Sequence, residues 1–416
     1  VQTCALPIYR RMRVLWLAIT PSLYDETKEG GWIASLERIV RDYCPDIQLG
    51  ITFEYNDDKF KVVRDNVTYY PINISRTFRD VLKMKFNGNE NWYLKKPLLV
   101  KVIEDFKPDI IHCFGSEWNW GLISQSINIP VVIHMQGFVN IYDLSAKFVQ
   151  RPKISFINNI LHPRSYLQRR FLKSYQKRRE EIEREIMVTN HFFMGRTNWD
   201  KDIVKYFSPG STYFYCPEAI RPEIYNCPNK WLYHPGKKMR IVTITSAGSL
   251  KGNSIVLLTA KILKELGVDF EWKVAGNIAR FLQFEKSNDI RHEDVNIKLL
   301  GMISAEDIAF ELANADIYVH PSIIDNSPNS LCEAQLIGCP VVATYVGGIP
   351  QIVQDGETGI LYPYNEPHTL AFTLIGLKES REKMERLSTN ELMVSKERHD
   401  PAELGKRLIE IYEYII

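Results

Sequence analysis

One stretch of the sequence, residues 316 to 361, limits the possible folds more than any other part of the chain. It reads DIYVHPSIIDNSPNSLCEAQLIGCPVVATYVGGIPQIVQDGETGIL. The run 316–320 is short, apolar and rich in β-branched residues, which is typical of a buried parallel strand. Ser327 and Pro328 are favoured at the N-cap and at the first position of a helix, so we expect a helix to begin there. The next strand is expected over 340–344, which completes a strand–helix–strand unit.

The start of that helix is a predicted anion site between two carboxylates. The amides of Asn329 and Ser330 lie where free N–H groups and the positive end of the helix dipole favour phosphate. Asp325 precedes the helix and Glu333 lies inside it. A carboxylate accepts hydrogen bonds from the vicinal hydroxyls of a sugar. The pattern therefore suits a sugar, a diphosphate and a ribose bound in series. The alternative is an ordinary strand–helix–strand unit with both acids in solvent.

This stretch resembles the donor-binding signature of the retaining glycosyltransferases called glycosyl transferases group 1, or GT4, which have the GT-B fold. That signature has two acids separated by seven residues, a helix of small residues, a Val-Val-Ala-Thr strand and a Gly-Gly turn. The resemblance implies that Glu333 holds the ribose of the nucleotide and that Asp325 holds the transferred sugar. The chain departs from the family pattern with Asp325 in place of Glu, Ser327-Pro328 in place of Phe-Gly, and Gln351 in place of an acid.

A second match to the family follows the strand predicted at 240–246. Lys251-Gly252 matches a family dipeptide whose lysine neutralises the donor diphosphate. The family has an arginine about five residues earlier, where this chain has Ser246, and Arg196 is the candidate replacement. The alternative for Lys251 is an ordinary surface lysine. The predicted substrate-binding residues are Gly30, Gly31, Arg196, Lys251, Asn326, Asn329, Ser330 and Glu333.

The first half of the chain has three features near predicted strand ends. Gly30-Gly31 precedes a helix, where glycine allows a backbone to approach a ligand closely; a plain turn is the alternative. Two predicted strands carry His112 and His134 at their carboxyl ends, the edge at which open α/β sheets bind ligands. The family resemblance implies a side chain in the cleft near His134 or Gln136 and does not decide between them. A purely structural role is the alternative for each histidine. The catalytic candidates are Asp325, His112, His134 and Gln136.

The composition excludes some functional classes. The chain has 416 residues, 45% of them hydrophobic and 25% charged, with a formal net charge of +2, which argues against a dedicated nucleic-acid binder. Its seven cysteines are scattered without a Cys-x-x-Cys pair, which fits a reducing cytoplasm and no zinc site. We find no convincing Asp-x-Asp metal motif, and we expect neither a metal nor a cofactor. The nucleotide-diphosphate-sugar is expected to be a substrate. No apolar run is long enough for a membrane span. We expect residues 1–11 to be a tail that is either not native to the domain or disordered.

Residues 141–186 are longer than a simple crossover between strands requires. The part from Lys147 to Arg184 has eleven Lys or Arg residues and three Glu, interleaved with aromatic residues and leucines. This pattern favours either a solvated helical excursion or a basic-aromatic face for an anionic membrane or a lipid-diphosphate acceptor. We therefore expect a cytoplasmic protein, with contact to the inner face of the membrane as the second option.

Strands alternate with helices in two successive runs, which predicts an α/β protein with two Rossmann-like, doubly wound domains facing a central cleft. On the resemblance, the function is metal-independent transfer of a sugar from a nucleotide-diphosphate-sugar to a sugar or lipid-linked acceptor. Its expected setting is cell-envelope polysaccharide or glycolipid assembly. The alternatives are a nucleotide-sugar epimerase on the same scaffold and a catalytically degenerate binding protein. The expected divisions are an acceptor-side domain (12–216), a linker (217–237), a donor-binding domain (238–395) and a C-terminal helix returning to the first domain (396–416).

Overall fold

A computed structural model of the chain describes residues 11–25, 31–57, 59–87, 91–148, 163–246, 248 and 250–416. The described residues form two compact units. The first unit is drawn from Val1–Gly195, Asp200–Cys216 and Pro401–Ile416, and the second from Arg196–Trp199 and Pro217–Asp400. All but Arg11 of the expected N-terminal tail lies outside the described residues.

The first unit is built on an eight-stranded sheet of the order β3-β4-β2-β1-β5-β6-β7-β8. All neighbouring pairs are parallel except β3 and β4. Its central strand β5, with the sequence IIHCF, is buried along its whole length, as expected for a parallel strand covered on both faces. The strands are β1 (Met12–Leu17), β2 (Ile47–Glu54), β3 (Val62–Arg64), β4 (Val67–Ile72), β5 (Ile110–Phe114), β6 (Val131–His134), β7 (Phe192–Gly195) and β8 (Thr212–Tyr215).

The C-terminal helix, Pro401–Ile415, packs in the first unit against the helix Gly31–Tyr43. Gly405 allows this close packing, because a Cβ atom there would lie 3.0 Å from Tyr43 Cβ and 3.2 Å from Cys44 Sγ. The expected excursion at 141–186 contains parts of two helices, with residues 149–162 outside the description. The other helices of this unit are Ser22–Tyr24 (3-10), Phe78–Asn87, Trp92–Phe106, Asn119–Ser126 (3-10), Val139–Phe148, Pro163–Thr189 and most of Asn198–Phe207.

The second unit has a six-stranded parallel sheet of the order β11-β10-β9-β12-β13-β14. Numbered from its own first strand, this is the order 3-2-1-4-5-6 of a Rossmann fold. The strand order reverses between β9 and β12, and doubly wound sheets bind ligands beyond the strand ends at such a point. The strands are β9 (Met239–Thr245), β10 (Phe270–Gly276), β11 (Ile297–Gly301), β12 (Ile317–His320), β13 (Val341–Thr344) and β14 (Ile360–Tyr362).

Helices cover this second sheet, and one of them begins later than the sequence predicts. The helix expected from Pro328 begins at Asn329, with Pro328 in extended backbone before it. Residues 367–398 contain two helices, and the second begins after Ser380, whose hydroxyl accepts from the Lys383 amide. The helices of this unit are Pro222–Tyr225, Asn253–Glu265, Ala279–Asn288, His292–Val295 (3-10), Ala305–Asn314, Asn329–Ile337, Ile349–Ile352, Pro367–Lys378 and Arg381–Arg398.

The proline-rich segment 217–237, expected as a linker, lies in the second unit. Trp231 is 5% exposed, its backbone amide donates to Ile337 O at 2.8 Å, and its indole N–H donates to Ala315 O at 2.8 Å. These bonds hold the segment against the ends of two helices. Prolines exclude regular structure, but they do not prevent a segment from burying its apolar side chains.

Candidate active site

Two loops meet beyond the ends of β9 and β12, at the point where the strand order reverses. The amide of Ile323 in the second loop donates to Leu250 O in the first at 2.7 Å. Gly252 has a φ of +69°, and a Cβ atom there would lie 1.8 Å from Pro321 O. Glycine is therefore required at this position for two reasons, backbone conformation and space. Its presence explains why the Lys251-Gly252 pair lies beside the loop that carries Asp325.

Asp325 is the centre of a compact polar cluster that these two loops form. Its Oδ2 lies 2.6 Å from Lys251 Nζ, accepts from Ser322 Oγ at 3.0 Å and lies 3.3 Å from His320 Nε2. Its Oδ1 accepts from the Asn326 amide at 3.2 Å. Burial alone would raise the pKa of Asp325, but the Lys251 charge and the bonds from His320 and Lys251 hold that pKa well below its usual range. The carboxylate is therefore ionised and paired.

The Gly-Gly turn after β13 holds the backbone of the same loop. The Gly348 amide donates to Asp325 O at 3.0 Å. Gly347 has a φ of +54°, and a Cβ atom there would lie 1.9 Å from Asp325 O. At Gly348 a Cβ atom would lie 2.4 Å from Asn326 O. The two glycines thus let the turn approach the loop closely and fix the backbone on which Asp325 stands.

The helix Asn329–Ile337, here called the signature helix, begins beside this loop. Leu331 and Cys332 donate its first backbone hydrogen bonds, both to Pro328 O, at 3.0 and 3.2 Å. The amides of Asn329 and Ser330 precede them at the positive end of the helix dipole, and both residues are partly exposed. Such an end can bind a phosphate oxygen.

Glu333, inside the signature helix, is held by a cation that sequence reasoning missed. Its Oε1 accepts from Arg221 Nε at 2.7 Å and its Oε2 from Arg221 Nη2 at 3.0 Å. This is the two-pronged geometry in which a guanidinium fixes the plane of a carboxylate. A carboxylate oxygen can accept more than one hydrogen bond. Arg221 lies in the segment that the prolines marked as a linker, so no pattern in the sequence linked it to Glu333.

A second missed carboxylate, Glu218, lies behind the turn at the start of the signature helix. It is 1% exposed and accepts hydrogen bonds from Ser327 Oγ and, at 3.1 Å, from Cys332 Sγ. Its backbone oxygen lies 3.0 Å from His399 Nδ1. Burial alone would raise the pKa of Glu218, but the charge of Arg196 and the hydrogen bond from Ser327 help to lower it. Glu218 therefore supports the turn as a buried, ionised acceptor.

Arg196, the candidate second phosphate cation, lies in the second unit and is 6% exposed. Its Nη1 donates to Ser327 O at 3.4 Å. The neighbouring Thr197 donates through Oγ1 to Asn326 Oδ1 at 2.6 Å. Gln351, which replaces an acid of the family pattern, accepts from the backbone amide of Asn198. In this structure the segment therefore supports the loop around Asn326 and Ser327.

The two histidine candidates of the first unit lie inside it. His112 and His134 are both 0% exposed, and His112 Nε2 lies 3.1 Å from His134 Nδ1. His112 Nδ1 lies 2.6 Å from the hydroxyl of Tyr412 on the C-terminal helix. Burial lowers the pKa of His112 to about 3, so its ring is neutral. His112 stands in the middle of β5 and only His134 ends its strand, so the expectation that both rings lie at strand ends was wrong for His112.

The remaining candidates of the first unit are less enclosed. Gln136 is partly exposed, and its Nε2 has no hydrogen-bond partner among the described residues. Gly31 has a φ of +58° and no atom within 4 Å of a Cβ position, so its conformation, not crowding, favours glycine. Gly30 lies outside the described residues. The edge of Trp32 packs on His134 with ring centroids 4.9 Å apart.

The described part of the chain contains neither a cluster of metal ligands nor a membrane-spanning helix. No three or more His, Cys, Asp or Glu side chains there are grouped so that they could hold a metal ion. Likewise, none of the described helices is both long and apolar enough to cross a bilayer.

Known glycosyltransferases resemble this chain in sequence and in fold. Residues 231–392 match the family model described as glycosyl transferases group 1. Over 189 residues the chain is 26% identical to the amylovoran biosynthesis glycosyltransferase AmsK of Erwinia amylovora. The aligned part is 44% of this chain and 46% of AmsK. The chain thus spans about half the length of this curated relative.

Solved structures share the fold over nearly the whole chain. The sucrose-phosphate synthase of Thermosynechococcus elongatus superposes with a TM-score of 0.75 at 12% identity, covering 97% of this chain and 99% of that protein. The structure of Anabaena Alr3699/HepE in complex with UDP and glucose superposes with a TM-score of 0.64 at 15% identity, covering 96% and 98%. The fold class expected from the sequence is confirmed. The chain has the GT-B fold, and its residues 231–392 match the model of the glycosyl transferases group 1 family.

Proposed function

We propose that this chain is a retaining glycosyltransferase that moves a sugar from a nucleotide-diphosphate-sugar to an acceptor in cell-envelope polysaccharide or glycolipid assembly. The observation that carries the proposal is the Lys251–Asp325 ion pair beside the open start of the signature helix, at the switch point of a Rossmann sheet. A cation, an anion-binding helix start and a sugar-binding acid are the groups that such a donor requires.

The donor is proposed to bind along the signature helix. Its diphosphate accepts hydrogen bonds from the amides of Asn329 and Ser330 and draws Lys251 away from Asp325. Asp325 then accepts from hydroxyls of the transferred sugar. Glu333, oriented by Arg221, accepts from the two ribose hydroxyls. Each group of the donor thus meets a partner of matching charge or hydrogen-bonding capacity.

The reaction is proposed to be a front-face displacement without a metal ion. The acceptor hydroxyl attacks the anomeric carbon on the face from which the diphosphate leaves, and a leaving phosphate oxygen takes the hydroxyl proton. The bond to the diphosphate breaks as the new glycosidic bond forms, so the configuration is retained. Lys251, the two amides and the helix dipole stabilise the charge that develops on the leaving group.

The acceptor is proposed to bind the first unit. His112 and His134 are buried, so they are assigned to shaping that site. The partly exposed Gln136 is the candidate for direct contact. The name of AmsK, a biosynthetic enzyme of the polysaccharide amylovoran, supports a saccharide acceptor.

The helix Pro163–Thr189 is proposed to attach the enzyme to an anionic membrane at the cytoplasmic face. Its Lys173, Lys177 and Arg178 lie on the described part, where Leu172 is also 58% exposed. Each basic residue near such a surface contributes about 1 kcal/mol, and salt screens it. Sedimentation with vesicles that contain or lack anionic lipid tests this. Binding that ignores lipid charge would contradict it.

The test of the transferase itself is a panel of UDP-, GDP- and ADP-sugars assayed for release of free nucleotide. Slow release from one donor is expected, because transferases of this type pass the sugar to water when no acceptor is present. Asp325→Asn should abolish the release, and Asp355→Asn in the same unit should leave it unchanged. No release from any donor would overturn the proposal, and an isomerised nucleotide-sugar as product would favour the epimerase.

A further inference from the structure

A chain of four polar side chains joins the sugar-binding acid to the phosphate-binding helix start of the second unit. His320 Nε2 lies 3.3 Å from Asp325 Oδ2, and His320 Nδ1 lies 3.2 Å from the hydroxyl of Tyr318. That hydroxyl lies 2.9 Å from Ser330 Oγ. His320 is 3% exposed and Tyr318 is 0% exposed, so water does not replace these contacts.

We propose that binding of the donor's diphosphate is coupled to uptake of a proton by His320, through the chain Asp325–His320–Tyr318–Ser330. The inference rests on the donor site proposed above. It makes His320 and Tyr318 positioning residues that adjust the charge and hydrogen-bond direction of the site to its ligand.

The protonation state of His320 determines which group donates and which accepts in these hydrogen bonds. Asp325 is an ionised acceptor, so the hydrogen of a neutral His320 lies on Nε2 and its Nδ1 accepts from the Tyr318 hydroxyl. Tyr318 has one hydrogen, so in that state Ser330 is the donor between these two hydroxyls. The Ser330 hydrogen then points toward Tyr318 and is not offered to a ligand.

Protonation of His320 reverses the two hydrogen bonds on the Tyr318 side, while Nε2 still donates to Asp325. A proton added at Nδ1 is donated to the Tyr318 oxygen, the Tyr318 hydroxyl donates to Ser330 Oγ, and the Ser330 hydroxyl is released. A phosphate oxygen has only acceptor sites, so it favours the state in which Ser330 donates. A ligand at the helix start therefore stabilises the protonated ring, and the proton comes from solvent.

The Lys251–Asp325 pair supplies a second, independent drive in the same direction. In the free protein Lys251 neutralises Asp325 at 2.6 Å. When the diphosphate draws Lys251 away, a carboxylate that is 8% exposed loses its counter-ion, which is unfavourable unless another cation replaces it. His320 is already in contact with Asp325 and can carry that charge.

The surroundings of His320 set its neutral state before binding. Burial lowers the pKa of His320, its bond to Asp325 opposes this, and the nearby Lys251 charge lowers it further. The acidic groups that face Tyr318 are Glu333, Asp325 and Cys332. Departure of Lys251 removes one lowering influence while Asp325 remains, so the pKa of His320 rises on binding.

The test is calorimetric titration of the full chain with UDP, GDP and ADP at pH 7.5 in Tris and in Hepes. The two buffers differ in ionisation enthalpy, so the difference in measured heat gives the protons taken up. At this pH the terminal phosphate, with a pKa of about 6, is nearly fully ionised and releases little. Wild-type protein should take up about one proton with the best-bound nucleotide.

Tyr318→Phe keeps the aromatic ring but removes the hydroxyl that links His320 to Ser330. It should still bind the nucleotide with reduced proton uptake, and the uptake that remains measures the contribution of Lys251. His320→Gln, a second variant, should bind without uptake. The control Tyr364→Phe, on an exposed loop residue, should behave as wild type. Binding without uptake in wild type, or unchanged uptake in both variants, would overturn the proton coupling while leaving the donor site intact. Failure of all three nucleotides to bind would overturn the proposed function and the coupling with it.

Discussion

At the switch point of the first unit, Trp16 on β1 lies opposite His112 on β5, whereas the second unit brings Lys251 beside Asp325 beyond β9 and β12. The polar groups of the first unit form hydrogen bonds with one another. The Trp16 indole N–H donates to the Tyr412 hydroxyl at 3.1 Å, and that hydroxyl meets His112 at 2.6 Å. In the second unit, Lys251 and Asp325 are a cation and an anion, and a ligand can replace either as the partner of the other.

This difference teaches that strand order determines where a ligand site lies and that side chains determine its chemistry. A buried charge is tolerated only when it is paired and hydrogen-bonded. The second unit meets this condition with the pairs Lys251–Asp325 and Arg221–Glu333. The corresponding groups of the first unit are neutral, which suits a neutral ligand such as a sugar hydroxyl better than a diphosphate.

The largest effect is expected from a substitution that distorts the backbone of the second unit's site. Gly252→Ala adds a Cβ atom 1.8 Å from Pro321 O at a φ of +69°. Strain and overpacking together should lower the free energy of unfolding by more than about 3 kcal/mol. Gly267→Ala is the control, because its φ is +72° and nothing lies within 4 Å. It should lose only about 1 kcal/mol. Denaturant titration measures both, and equal losses would show that contact with Pro321 has no energetic importance.

The next largest effect is expected from a substitution that removes one of the two charge pairs. Glu333→Ala should weaken binding of the donor and of the free nucleotide alike by about 2–3 kcal/mol, the value of hydrogen bonds to a charged group. Arg221→Ala should weaken it less, because the carboxylate remains but is no longer oriented. Glu357→Ala, an exposed acid of the same unit, is the control. Unchanged nucleotide affinity in folded Glu333→Ala protein would exclude the ribose assignment.

Much of the second site could be predicted from the sequence because its parts are local. The strand, the cap, the helix and the Gly-Gly turn follow one another within 316–361, and each has its own residue preferences. Lys251-Gly252 could be recognised for the same reason, as a dipeptide that follows a strand.

The supporting residues could not be predicted, because their partners are distant along the chain. Arg221 lies 112 positions from Glu333, and Glu218 lies 109 positions from Ser327. Periodicity and propensity do not encode which buried acid meets which cation. The histidines of the first unit show a related limit. All five residues of β5 are buried, so no alternation shows which way His112 points.

A smaller effect, the dependence of the unfolding free energy on pH, tests whether His112 in the first unit is neutral. The pKa of folded His112, about 3, lies below the ordinary value of 6.5. The unfolded chain therefore binds more protons between these values, and the stability that neutral His112 provides is complete above pH 6.5 and is lost as pH falls. Between pH 6.5 and 5 the loss should be about 2 kcal/mol. His112→Gln should reduce the slope of unfolding free energy against pH, and exposed His191→Gln should not. Parallel slopes in wild type and His112→Gln would contradict a neutral, buried ring.

The smallest expected effect concerns metal ions, and it tests whether the second unit supplies all the positive charge that the donor needs. Lys251 carries one full charge, and the amides of Asn329 and Ser330 add the positive end of the helix dipole. If these groups neutralise the diphosphate, treatment with EDTA should change nucleotide release by less than about two-fold, well under the ten-fold that 1.4 kcal/mol would give. The matched comparison is Lys251→Ala, which should lose most activity whether or not EDTA is present. Complete loss of wild-type activity in EDTA, restored by Mg²⁺ or Mn²⁺, would show that the charge on the leaving diphosphate is met by a metal and not by the side chain and helix start of the second unit.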